Sequence, residues 1–308
     1  MGTLQTIEPL ASLAEMAGDY ERAVGFHEEG LRMAENLGLW PEAADRLTGL
    51  GSTAMPTGDH ERACEFHQRA LRLPAEHSFK PGELHAEIGL GLGARREGRL
   101  DGAEAHMRHA LEWQTAMFFE PGRALVLTEL GFVAEQRGEA DEALRLHLEG
   151  WESARNTGDV RALALALEGL AGAHSLAGRP QNAALLLGAA HAARTSVGMP
   201  LPSAVRGGVD RVTAAVRSHL DEDAYRTAHD RGGRLTSEQA VVAVQGQYGN
   251  FQPPAPPNTT VPHHQPPRHR QRHNQPLTCS NTSESHPDST VPPMIEPRVV
   301  DGGGAQRP

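Results

Sequence analysis

The chain has 308 residues and carries 39 Asp and Glu against 29 Lys and Arg, a net charge of −10. Residues 1–249 hold 35 of the acidic and 24 of the basic side chains, and no stripe of Lys and Arg runs along them that could follow a phosphate backbone, so direct nucleic-acid binding is not expected. Cys64 and Cys279 give no CxxC motif and no disulfide framework. No basic leader precedes an apolar run and no stretch nears the roughly 20 apolar residues of a membrane span, which points to a cytoplasmic protein.

From the N-terminus onward the sequence repeats. Gly18, Gly58, Gly98, Gly138 and Gly178 stand forty residues apart, each followed five residues later by Ala23, Ala63, Ala103, Ala143 or Ala183. In the same register lie Leu10-Ala11, Leu50-Gly51, Leu90-Gly91, Leu130-Gly131 and Leu170-Ala171, with Pro41, Pro81 and Pro121 as a further series. A fixed period in the range of about 20–50 residues is the mark of a solenoid, whose function lies on an extended surface.

The second copy shows the physics. Pro41 opens a helix where its missing N–H costs nothing, and Leu47, Leu50 and Ala54 share one face. Gly58 ends that helix; Asp59 caps the next and Glu61 complements its dipole. Ala63, Phe66, His67, Ala70 and Leu71 then recur at spacings of three and four, so each repeat reads as a helical hairpin. The repeated small residues let two helix axes approach to about 8–10 Å and are packing residues. His27, His67 and His147 occupy one repeated slot, filled elsewhere by Met107 and Leu187. A slot that takes Met and Leu calls for a bulky, partly apolar body, so these histidines are assigned to packing and no metal site is expected.

After the fifth repeat, residues 201–220 read as one helix, 221–234 as a second and 236–244 as a short third, together covering the last apolar face of the array. Between Phe251 and Pro308 lie thirteen of the 22 prolines, among Gln, Asn, Ser, Thr and His. Such a stretch buries too little to offset an ordering entropy of roughly 1–2 kcal/mol per residue, and is expected to be disordered. The expected organisation is a repeat array over 1–199, a helical cap over 200–245 and a disordered tail over 246–308.

The Leu-Gly pair, the alanine thirteen residues after its leucine, the large residue four further on and the proline ahead of the pair resemble the tetratricopeptide repeat (TPR). That repeat usually has 34 residues, so six are added here, and the pattern assigns them to the second helix. The resemblance implies an all-α fold, an alpha-alpha superhelix of five hairpins whose first helices line a concave groove for an extended or helical peptide. The runs at residues 185–202 and 209–244 also resemble the C-terminal end of actinobacterial regulators that join an ATPase module to TPRs, many of them LuxR-type transcription regulators.

The groove positions that the resemblance implies are Glu8, Ser12 and Glu15; Thr48, Ser52 and Met55; His85, Ile88, Leu92 and Arg95; Thr128, Phe132, Glu135 and Gln136; and Glu168 and Ser175. The central set, His85, Ile88, Leu92, Arg95, Thr128, Phe132 and Gln136, is the candidate partner-binding surface, with Phe132 and Arg95 as anchors because aromatic and arginine side chains dominate interface hot spots. Ser12, Ser52, Leu92 and Phe132 stand where the chaperone-docking subclass of the family carries asparagine, so that subclass is not expected. No GxxxxGK[ST], HExxH or GxSxG motif is present, and Gly89, Gly91 and Gly93 lie inside a helix, not after a strand. The reading is therefore a non-catalytic, regulatory TPR scaffold without a cofactor, binding a protein or peptide. The alternative is a truncated sensor arm of an ATP-dependent LuxR-type regulator that lacks its ATPase and DNA-binding domains.

Overall fold

The computed structural model describes residues 2–77 and 80–245; expectations placed on residues 246–308 lie outside the described residues. Ten helices form five hairpins: α1 (Gly2–Ala17) with α2 (Tyr20–Leu37), α3 (Trp40–Ala54) with α4 (His60–His77), α5 (Lys80–Arg96) with α6 (Leu100–Ala116), α7 (Glu120–Arg137) with α8 (Ala140–Thr157), and α9 (Val160–Leu176) with α10 (Pro180–Ser196). Then come α11 (Gly207–Arg217), α12 (Glu222–Gly232) and α13 (Ser237–Gln245). First helices also pack on one another, α3 on α5, α5 on α7 and α7 on α9, whereas no two successive second helices pack as closely. The array therefore curves with its first helices inside, as an α-solenoid.

The second helix is the longer in the first hairpin, 18 residues against 16, and in the second, 18 against 15, and equals the first in the other three, so the extra six residues do not fall on the second helix alone. Gly38, Gly158 and Gly198 close second helices in the left-handed region, as Gly18, Gly58, Gly98, Gly138 and Gly178 close first helices. The turn signal thus recurs every twenty residues, and the extra residues are shared between both helices. Position 78 carries serine in place of this glycine, and among the described residues one turn departs from the rule. Phe118 adopts φ 54° and is 87 % exposed, beside exposed Met117 and Phe119. A left-handed aromatic residue costs about 1–2 kcal/mol relative to glycine. Helix starts follow the local chemistry: Asp19, Asp59 and Asp159 accept hydrogen bonds from the backbone N–H of Arg22, Arg62 and Arg161.

The alanine series Ala23, Ala63, Ala103, Ala143 and Ala183 is fully buried, and the glycines explain the histidine slot. A Cβ at Gly51 would lie 2.5 Å from His67 Nε2, one at Gly131 2.5 Å from His147 Cε1, and one at Gly89 or Gly169 would collide with the same two rings. Each imidazole is thus seated between a glycine of its own hairpin and a glycine of the next. His27 and His147 also meet a carboxylate, with Nε2 2.9 Å from Glu15 Oε1 and 2.6 Å from Glu135 Oε1. At the equivalent place His67 has Met55, and its Nδ1 is buried without a partner.

Burial pulls the His67 imidazole down to about 4. Because the unfolded ring titrates near 6.5, unfolded chains bind the extra proton first, and stability present above pH 6.5 is lost as pH falls towards 4. Two and a half pKa units correspond to about 3 kcal/mol. Buried His174, lowered to about 4 by burial and then by Arg179, adds a loss of the same sign. The variant His67→Met, which installs the residue of the third repeat, should keep neutral-pH stability within about 1.5 kcal/mol. Urea unfolding at pH 7, 6, 5 and 4 should show a pH slope one proton shallower than that of the parent chain; an unchanged slope would place the acid sensitivity elsewhere.

The C-terminal helices differ from expectation at their start. Pro200 and Pro202 keep residues 199–206 out of regular structure, and the helix begins at Gly207, not at Leu201. Asp221 then caps α12 through the Ala224 N–H. Thr236 and Gln239 form a reciprocal capping box ahead of α13, with bonds of 3.0 and 3.2 Å. Val216, Tyr225, Ala240, Val241 and Val244 bury the last apolar face of α9 and α10 in one cluster with Leu167, Leu170, Leu186 and Leu187.

Candidate functional site

Of the seven residues nominated from sequence, His85 and Gln136 are exposed, Leu92, Arg95 and Phe132 are partly buried, and Ile88 and Thr128 are buried. Thr128 gives its hydroxyl to the Ala124 carbonyl 2.8 Å away. His85 Nδ1 lies 3.8 Å from Asp45 Oδ1, and that carboxylate raises the imidazole pKa against the opposing effect of burial. Ile88 and Thr128 belong beneath the groove surface, where they set helix spacing.

Arg95 and Phe132 come together, but around protein partners. Arg95 Nε is 2.8 Å from Glu129 Oε2, and its guanidinium lies 5.2 Å from the Phe132 ring centre. The other side of Phe132 meets His147 edge-on at 4.9 Å, and His147 in turn holds Glu135. This chain of five side chains couples α5, α7 and α8. Glu129 takes the place of the glycine found at positions 49, 89 and 169 of the other repeats, and its side chain is only 7 % exposed. Arg95 is its counter-charge. Sequence reading placed Arg95 and Phe132 on the groove face and missed Glu129; the signal was the single acid in a series of three glycines and Pro9.

The two ends of the array meet. Arg161 Nη1 at the start of α9 is 3.1 Å from Met16 Sδ at the end of α1, and a Cβ at Gly18 would be 3.3 Å from Pro202 Cβ. The non-helical strap 199–206 therefore crosses the inner face beside the first hairpin. It borders an open chamber of about 330 Å³, lined by Glu15, Tyr20, Ser52, Arg96, Arg161, Arg194 and the strap residues Pro200 and Pro202 among others. Glu15 and Ser52 were read from sequence as groove positions; Tyr20, Arg96, Arg161 and Arg194 were not, because they enter only through the closure.

The chamber's charged groups are unequally engaged. Arg194 makes a two-pronged contact with buried Glu168 at 2.6 and 2.9 Å, and Glu15 is held by His27. Arg161 reaches Asp159 only at 3.4 and 3.5 Å. Arg96 makes no hydrogen bond and no ion pair among the described residues. It is exposed to the chamber yet flanked by protein, and burial, with Arg95 beside it, lowers its guanidinium from the ordinary value against the pull of Glu129. Burial and the Glu15 charge raise the Tyr20 phenol, so it stays a neutral O–H donor. Among the described residues no helix is long and apolar enough to cross a membrane.

No protein-family model and no curated protein sequence matches the chain. Solved structures do match it. BtubC (BKLC) from P. vanneervenii is 22 % identical with a TM-score of 0.50, covering 65 % of this chain and 82 % of that one. The Rap conjugation gene regulator of plasmid pLS20, solved in complex with a Phr peptide, is 12 % identical with a TM-score of 0.53, covering 79 % and 75 %. A Podospora anserina putative kinesin light chain with TPR-like repeats is 20 % identical with a TM-score of 0.46, covering 63 % and 95 %. With five curved helical hairpins and the likenesses to BtubC and the Rap regulator, the described part of the chain is a TPR-like helical solenoid.

Proposed function

We propose that this chain is a non-catalytic scaffold that binds a peptide, or an extended segment of a partner protein, on the inner face of its solenoid. The observation that carries the reading is the open chamber on the inner face, where side chains of the first, second, third and fifth hairpins and the strap 199–206 line one recess. His85, Leu92 and Gln136 extend the same face outward, with Ile88 and Thr128 seating it from below. The Rap regulator, similar in fold, is solved with a peptide, and a regulatory role for this chain is part of the same proposal. The resemblance of residues 185–202 and 209–244 to the end of ATPase-linked LuxR-type regulators supports that role, which predicts neither ATP hydrolysis nor operator binding by this chain alone.

The test is selection of a random twelve-residue peptide display library on the purified chain. A consensus should emerge, and Ser52→Trp, which fills the chamber from α3, should weaken the selected peptide at least about tenfold, or 1.4 kcal/mol. The exposed substitution Glu65→Gln on α4 should leave binding unchanged. Failure to enrich any sequence, or binding indifferent to Ser52→Trp, would overturn the reading.

A further inference from the structure

Helices α8, α9 and α13 and the start of α10 border a second recess, of about 640 Å³, that shares no residue with the inner-face chamber. Its floor is apolar: Leu144 and Leu148 of α8, Leu170 of α9, and Val241 and Val244 of α13. Leu170, Val241 and Val244 are nearly excluded from solvent, while Leu144 and Leu148 keep part of their surface open. Asp141, Leu144, Leu148 and Glu152 follow one stripe of α8 at spacings of three and four. The recess therefore runs along about three helical turns with a carboxylate at each end. A volume between about 300 and 1,000 Å³ suits a small molecule. A stable protein partner would need about 20–30 residues on this side, and ten described residues line the recess.

The polar groups around that floor decide the charge of the ligand. The carboxylates of Asp141 and Glu152 make no hydrogen bond and no ion pair among the described residues. Arg179 opens α10 at the edge of the array where Asp141 opens α8, so it offsets that carboxylate and leaves Glu152 at the far end. His174 is 2 % exposed and lines the recess. Burial, and then Arg179, pulls its imidazole down to about 4, so at neutral pH it offers a hydrogen bond without repelling a cation. One negative charge is thus in excess at Glu152, on a body that is itself acidic. We propose that this recess binds a cationic amphiphile, a small molecule whose apolar body lies over Leu144, Leu148, Leu170, Val241 and Val244 and whose single ammonium group meets Glu152. An anion with the same body would face two carboxylates, and the second charge of a dication would meet Arg179. The inference is independent of the peptide reading, since no residue serves both sites. It depends on the cap, because α13 supplies one wall.

Octylammonium, octanol and octanoate share an apolar body and differ in their head group. Titration calorimetry of the full chain at low salt should show saturable binding of octylammonium, about tenfold or more tighter than that of octanoate, with octanol between them. The gap should narrow at high salt, which screens the carboxylates. Glu152→Gln, at an exposed position, should leave the melting temperature unchanged and bring octylammonium to the level of octanol. Leu144→Ser and Leu148→Ser should weaken all three together and keep their order. Glu112→Gln, exposed on α6, should change nothing. Equal affinity for the three head groups, or a preference that survives Glu152→Gln, overturns the cationic assignment. No saturable binding, or binding indifferent to both leucine changes, overturns the site. A mass by light scattering that doubles in the parent chain but not in Leu148→Ser also overturns it, in favour of a contact between copies.

Discussion

Gly188→Ala should release the C-terminal cap from the solenoid. A Cβ at Gly188 would overlap the carbonyl oxygen of His229, and one at Gly232 the carbonyl oxygen of Leu185, so α10 and α12 pack backbone against backbone at this crossing. Most overpacked sites relieve themselves by turning a side chain. Here the obstructing atoms are main-chain carbonyls, and the whole of α12 must move. The expected loss lies at the upper end of the usual overpacking range, about 3 kcal/mol. Because a solenoid holds its parts by nearest-neighbour contacts, the loss should be local. Hydrogen exchange should show the amides of α11, α12 and α13 losing protection while those of α3 to α8 keep theirs. The uncovered Leu186, Leu187 and Val241 should also make the variant prone to associate. Full protection of the cap in Gly188→Ala would mean that the helices can separate without losing their contact.

What the sequence made legible was everything that depends on one repeat and its neighbour. The Leu-Gly pairs, the glycine-to-alanine spacing, the start at Pro41 and the cap at Asp59 are local chemistry, and forty-residue self-similarity turned them into five hairpins. The histidine slot was legible for the same reason, since Met107 and Leu187 stand in for imidazole. Closure was not legible. Whether α9 reaches α1 depends on small rotations between hairpins summed over the array, and no residue type records that sum. Arg96 shows the consequence: it adjoins Arg95 in sequence, but neighbouring residues on a helix point about 100° apart. One of the pair is engaged with Glu129 and the other faces the chamber. The contact of Gly188 with Gly232 was hidden as well, because neither glycine belongs to the repeat register.

Arg95→Ala should be among the most destabilising substitutions inside the array, for a reason separate from ligand binding. It would leave Glu129, nearly excluded from solvent, without its counter-charge, and breaking one side of a buried ion pair typically costs about 3–5 kcal/mol. The repeat itself supplies the rescue. At the preceding interface Met55 stands where Arg95 stands, Gly89 where Glu129 stands and His67 where Met107 stands. Replacing the pair together, Arg95→Met with Glu129→Gly, removes both buried charges and should recover most of the loss, less about 1 kcal/mol for a glycine inside a helix. Adding Met107→His should recover more by filling the space that the glycine opens, as His67 does against Gly89. Urea unfolding of the single, double and triple variants gives these energies directly, and the non-additivity of the two single changes measures the pair. Peptide capture by the triple variant then separates two roles for Arg95. If its guanidinium serves only to neutralise Glu129, the stabilised triple variant should bind as the parent does; if binding falls while stability is restored, Arg95 touches the ligand as well.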